Sequence, residues 1–206
     1  FDATPQWAVN TDNQPVKSEK LEKNGITYLK TGTTEQNILG KKGDDVRIDW
    51  GYFYLAAAAE KQTSMKLGEY HAVKSEFNES GVLVAKEGEV SQKMQEEMPV
   101  LAYSRNLGKV DASSSNGYLM IGYDDLYSIQ YFNENLLPYW KRNGQVDIYQ
   151  AFEKASSNYA SVMQRCNDFD GTLMEQAAKD GGEMYAELCA LAYRQAIAAH
   201  KLVESK

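Results

Sequence analysis

The sequence predicts an α+β protein in which an N-terminal antiparallel β-sandwich-like region, residues 1–135, leads into a C-terminal α-helical segment, residues 136–206. Three observations carry that expectation. Up to about residue 135, apolar and aromatic residues alternate or run in short blocks between Gly, Asn and Asp breaks, as strands do. From residue 145 onward they recur at spacings of three and four, as on helix faces. Between the two lies the stretch 118–140, YLMIGYDDLYSIQYFNENLLPYW, where one pattern gives way to the other.

In order along the chain, residues 6–10 (QWAVN) read as a strand, and the charged run 17–23 as a solvated connection or short helix. Asn24-Gly25 is a hairpin signal, and ITYLKTG after it is a strand. Residues 41–45 (KKGDD) form a polar turn, with Gly40 and Gly43 too sparse for a phosphate cradle. The most strongly β segment is 46–59, VRIDWGYFYLAAAA, taken as a strand to about Leu55. Val46, Ile48, Trp50, Tyr52 and Tyr54 share one parity there and make an aromatic wall. Meander strands are expected over 64–85, a charged surface loop or short exposed helix over 86–97, an apolar segment over 98–103 and a Ser-rich loop over 108–116.

At the seam, Tyr118 to Tyr123 suit a strand covered on both faces, and Asp124-Asp125 end it. A short strand over 128–132 and turn residues 133–135 follow, before Pro138, Tyr139 and Trp140 open the helical part. Helices are expected over 145–169, 168–178 and 183–203. The last is apolar or small over most of its circumference and therefore wants neighbours all round. His200 sits where it can meet that helix's C-terminal dipole.

Composition excludes several classes. With 29 acidic against 22 basic residues the net charge is −7, so a nucleic-acid backbone would be repelled. No apolar run approaches the roughly 20 residues of a membrane span. Cys166 and Cys189 match no metal spacing and read as buried free thiols, or as a disulfide between neighbouring helices. His71 has no ligand partners at metal spacing. No metal and no cofactor is expected. The start, FDATPQW, carries no leader, and the end stops within a helical pattern, so the chain reads as an internal piece whose first partner is the remainder of its parent.

Two constellations could carry chemistry. Asp124 and Asp125 are candidate catalytic carboxylates, because general acid–base work needs paired acids whose surroundings tune them; as a purely structural feature they make a strand-ending turn. Asp49, Trp50 and Tyr52 are candidate substrate-binding residues, a carboxylate beside aromatic rings that suits a small polar molecule; structurally, Asp49 is a strand-edge acid paired with a base. The run 113–115 lacks the Gly-flanked turn of a serine nucleophile, and neither cysteine has a partner pattern.

Several runs, DWGYFYLAAA, MPVLAYSRNLG, YLMIGYDDLYSIQYF, LLPYWKR and YAELCALAYRQAIAAHKLV, resemble the glutaminase A-like family of secreted fungal and Bacteroides-type proteins. The resemblance spans essentially the whole chain. It implies a large extracytoplasmic protein, periplasmic, secreted or at the cell surface, whose β-sandwich leads into an α/α toroid-like domain. It also implies hydrolysis of L-glutamine to L-glutamate and ammonia by the parent, with the isolated fragment inactive. The same layout is similar to that of many glycoside hydrolases. The alternative is therefore a non-catalytic carbohydrate-binding or scaffold module with Trp50, Tyr52 and Tyr54 as a stacking platform, and a sugar as ligand. The resemblance assigns no catalytic role to any residue here.

Overall fold

The computed structural model describes residues 1–40, 50–83, 90, 92–112 and 116–204. The fold is α+β, with antiparallel sheets in the N-terminal part and helices dominating the C-terminal part. It divides into two compact units, Phe1–Leu137 and Pro138–Lys206.

The first unit holds two main sheets. One has the order β2 (Val16–Lys23), β3 (Ile26–Thr33), β4 (Tyr52–Ala58), β7 (Met120–Asp124). The other has the order β1 (Asp2–Ala3), β6 (Pro99–Arg105), β5 (Thr63–Glu69), and β8 (Ile129–Tyr131) with β9 (Glu134–Leu136) forms a separate hairpin. In register, Leu29 faces Leu55 and Thr31 faces Phe53, so these side chains share one sheet face. There Leu29, Phe53 and Leu55 join Met65, Leu67, Leu101 and Ala3 of the other sheet in one core. Burial of each large aliphatic chain contributes about 1.5–3 kcal/mol. The opposite face of β3 and β4, with Ile26, Tyr28, Tyr54 and Ala56, is buried too, which is why these strands read as near-continuous apolar runs.

The β2–β3 hairpin turns at Asn24 and Gly25, with φ of 52° and 75°, the doubly left-handed geometry that Asn-Gly favours. The charged run 17–23 is a strand, not a connection or helix: Lys and Glu alternate along an edge, where Lys30 Nζ reaches Glu19 Oε1 at 2.9 Å across the ladder. Strand β4 continues past Leu55 to Ala58, held by β3 and β7 as far as Ala56 and by β3 alone at Ala57 and Ala58, against alanine's helix preference. Residues 41–49, with the expected turn and the first part of that strand, lie outside the described residues, as do 84–89, 91 and 113–115.

The meander expected over 64–85 is half right. Strand β5 gives way at Tyr70 to α1 (Tyr70–Ser80), which ends at Gly81, φ 70°, whose N–H donates to the Phe77 carbonyl. Tyr70, Val73 and Phe77 recur at three and four, so the period switches from two to 3.6 at Glu69. Val73 packs with Leu83, Val100 and Ala102 on the outer face of the three-stranded sheet. The expected first strand, 6–10, is instead a 3₁₀ turn at Pro5–Trp7, because Pro5 has no N–H for a ladder and fixes a turn-compatible φ.

In the second unit, α2 (Ile148–Ser157) begins with a capping box in which Asp147 Oδ1 accepts the Gln150 N–H at 2.7 Å and Gln150 Oε1 accepts the Asp147 N–H at 2.9 Å. The continuous helix expected over 145–169 breaks at Asn158, and the remainder is one longer helix, α3 (Tyr159–Gly181). Residue 182, a glycine with φ of 84°, separates it from α4 (Glu183–Ala198). The two helices pack as a hairpin, with Phe169 and Tyr193 rings 5.0 Å apart. Ala177 and Ala186 are buried, while Met184, Leu188, Leu191 and Ile197 are exposed. His200 Nδ1 meets the Ala196 carbonyl. Cys166 and Cys189 are free thiols, not a disulfide, and neither is buried as expected: Cys166 is exposed and Cys189 half-buried.

Candidate functional site

The seam is built on the meeting of the start of β4 with the end of β7, where Tyr52 pairs with Asp124. Just before β4, Gly51 adopts φ of 90°, and a Cβ on it would lie 2.5 Å from the Asp124 carbonyl oxygen and 2.9 Å from Asp125 Cα. Only glycine tolerates both conditions. Its N–H donates to Gln36 Oε1, while Gln36 Nε2 donates to the Thr33 carbonyl at 2.8 Å. The Tyr123 hydroxyl donates to the Trp50 carbonyl. Two strand ends and the 33–36 turn are thereby tied together around one glycine.

Asp124 and Asp125 are 9% and 6% exposed, so their carboxylates are largely withdrawn from water. Asp124 Oδ1 accepts the Leu126 N–H at 2.9 Å, and Asp125 Oδ2 accepts the Ser128 hydroxyl at 2.8 Å. The Ser128 N–H in turn donates to the Leu136 carbonyl at 2.9 Å, so Asp125 braces the base of the β8–β9 hairpin. Leu126 is left-handed at φ 62°, a costly geometry for a residue with a Cβ, and the Asp124 bond helps hold it there.

The proposed substrate-binding residues are placed differently from one another. Asp49 lies outside the described residues. Trp50 is 5% exposed, and its indole Nε1 has no hydrogen-bond partner among the described residues. Tyr52 is half-buried, with Lys30 Nζ 4.1 Å from its ring centroid, and Tyr54 is buried. With two of the three rings enclosed, Trp50, Tyr52 and Tyr54 do not form an open stacking platform. A cavity of about 920 Å³ in the same unit is lined by Gln62, Tyr103, Arg105, Asn106 and Tyr118; Trp50, Tyr52, Asp124 and Asp125 are not among its lining residues.

Among the described residues, no cluster of His, Cys, Asp and Glu could hold a metal ion, and no helix is long and apolar enough to cross a membrane. Sequence reasoning missed Gln36, Tyr123 and Ser128. Ser128, three residues after Asp125, is a spacing at which a hydroxyl can close back on a carboxylate. Gln36 carries no signal, because its partner Gly51 is fifteen residues away and is brought close only by the sheet.

An antiparallel β-sandwich-like unit and a helical unit, with two buried carboxylates at the end of the last sandwich strand, define an α+β protein with a braced acidic seam. The chain belongs to the family described as a domain of unknown function (DUF5127), which matches residues 1–176. It is also similar to Glutaminase A of Aspergillus oryzae (strain ATCC 42149 / RIB 40), 23% identical over 206 residues, which cover 98% of this chain and 29% of that protein. The chain thus spans less than a third of the length of that relative. No solved structure matches it.

Proposed function

We propose that the chain is part of an extracytoplasmic glutaminase-like hydrolase that converts L-glutamine to L-glutamate and ammonia, and that it supplies the sandwich and the first helices of that longer protein. The observation that carries this reading is the distant similarity to Glutaminase A along 98% of the chain. Within it, Asp124 and Asp125 have a positioning role. Each carboxylate already accepts a hydrogen bond from its own turn, so its first effect is on the path of the backbone between β7 and β8.

The test is ammonia release from L-glutamine by the full-length parent, beside this 206-residue chain alone. Turnover by the parent and none by the shorter chain is expected. A parent inert toward glutamine that cleaves a glycoside would overturn the substrate.

A further inference from the structure

Among the described residues two hairpins share the same two-residue turn, and they are built from different residues. In β2–β3 the left-handed positions are Asn24 and Gly25, with φ of 52° and 75°, the residues that geometry favours. In β8–β9 they are Phe132 and Asn133, with φ of 45° and 64°. A bulky aromatic residue in left-handed backbone is a steric outlier. Phe132 is also 83% exposed, and the adjacent Tyr131 is 59% exposed, with the two rings edge to face at 4.4 Å between centroids. Neither turn chemistry nor packing within the described residues accounts for an aromatic ring there.

The rest of the hairpin is held firmly. Gln130 Nε2 donates to Asn135 Oδ1 at 3.0 Å across the ladder. The base is fixed by the Ser128 N–H on Leu136 and the Ser128 hydroxyl on Asp125. A short, braced hairpin that presents two rings at a strained tip is arranged for contact, since strain of this kind persists where it serves a function.

We propose that the β8–β9 hairpin is a docking finger whose Tyr131–Phe132 tip seats in an apolar socket formed by parts of the longer polypeptide outside these 206 residues. This rests on the reading above, that the chain is part of a longer protein, and the 29% share of Glutaminase A leaves ample chain to form such a socket. Tyr131, Phe132 and Asn133 carry no charge, the exposed Glu134 opposite Tyr131 lies at the rim, and the two rings offer apolar area for a complementary pocket.

Hydroxyl-radical footprinting of the full-length protein and of the 206-residue chain tests this, together with the melting temperatures of Phe132→Asn and Phe132→Leu in both. Phe132 should be labelled in the short chain and protected in the long one. Phe132→Asn, which suits the turn, should leave the short chain's melting temperature unchanged or higher and lower that of the long one by about 2–4 °C or more. Phe132→Leu, still apolar, should lower the long chain's by less. Equal labelling in both, or the same effect of Phe132→Asn in both, overturns the docking role. Protection that arises in the short chain through concentration-dependent self-association overturns the choice of occupant. A full-length protein that protects Phe132 but releases no ammonia overturns only the hydrolase reading, and one that releases ammonia with Phe132 labelled overturns only the finger.

Discussion

Replacing Gly51 by alanine should be among the most damaging single-methyl changes in the β unit. Two costs add. Forcing a residue with a Cβ into left-handed backbone costs about 1–2 kcal/mol. The new methyl would also lie 2.5 Å from the Asp124 carbonyl oxygen and 2.9 Å from Asp125 Cα, both backbone atoms that can give way only by shifting β7; overpacking of this kind costs about 1–3 kcal/mol. The total, about 2–5 kcal/mol, is a large share of a typical stability of roughly 5–15 kcal/mol. With a urea dependence of about 2 kcal/mol per molar, the midpoint should fall by roughly 1–2.5 M. Gly25→Ala is the control, because Gly25 is left-handed at φ 75° but a Cβ there meets nothing within 4 Å. It should show the backbone cost alone, a midpoint shift of roughly 0.5–1 M. Urea titrations followed by tryptophan fluorescence make the comparison. Equal losses for the two variants would refute the claim that the Gly51 approach to Asp124 is tight.

Three further outcomes follow from ion pairs and a cap. Lys66 is 8% exposed on β5 and its Nζ is paired with Glu76 of α1, so Glu76→Gln strands a buried ammonium and should cost about 3 kcal/mol, whereas Lys66→Met, which removes the charge, should cost much less; similar urea midpoints for the two would contradict this. The Glu19 carboxyl lies below its ordinary 4.5, chiefly because Lys30 hydrogen-bonds to it and despite the opposing effect of burial. A lowered acid stabilises above its unfolded value and loses that contribution as pH falls through the folded one, so Glu19→Gln should flatten the loss of stability below about pH 4.5; an unchanged profile would count against the pair. Asp147→Ala removes the α2 capping box and should lower stability by about 1 kcal/mol, read by slower-protected amides becoming faster to exchange in the first turn of α2 and not in α3.

How much of this was legible in the sequence depended on how local each cause is. The Asn24-Gly25 turn, β3 and the core of β4 were readable because turn chemistry and apolar runs are properties of neighbouring residues. The α+β division was readable for the same reason. Residues 17–23 were misread because an edge strand of alternating charge has no apolar face, and its pairing with β3 is what makes it β. Residues 70–80 were misread because strand and helix abut without a break residue, so only the spacing of Tyr70, Val73 and Phe77 marks the change. At the seam, the acidic pair and Trp50 stood out by residue type, but their burial and their ties to Ser128, Leu126 and Tyr123 come from tertiary pairing. Gln36 was invisible for that reason.

The most direct measurement compares Asp125→Asn with Ser128→Ala in the full-length protein, recording kcat for ammonia release and melting temperature for each. Both variants weaken the same 2.8 Å bond at the hairpin base, so a positioning role predicts that they lower melting temperature and kcat together and to a similar extent. Loss of turnover in Asp125→Asn with an unchanged melting temperature, beside a nearly active Ser128→Ala, would show instead that the Asp125 carboxylate takes part in the reaction itself.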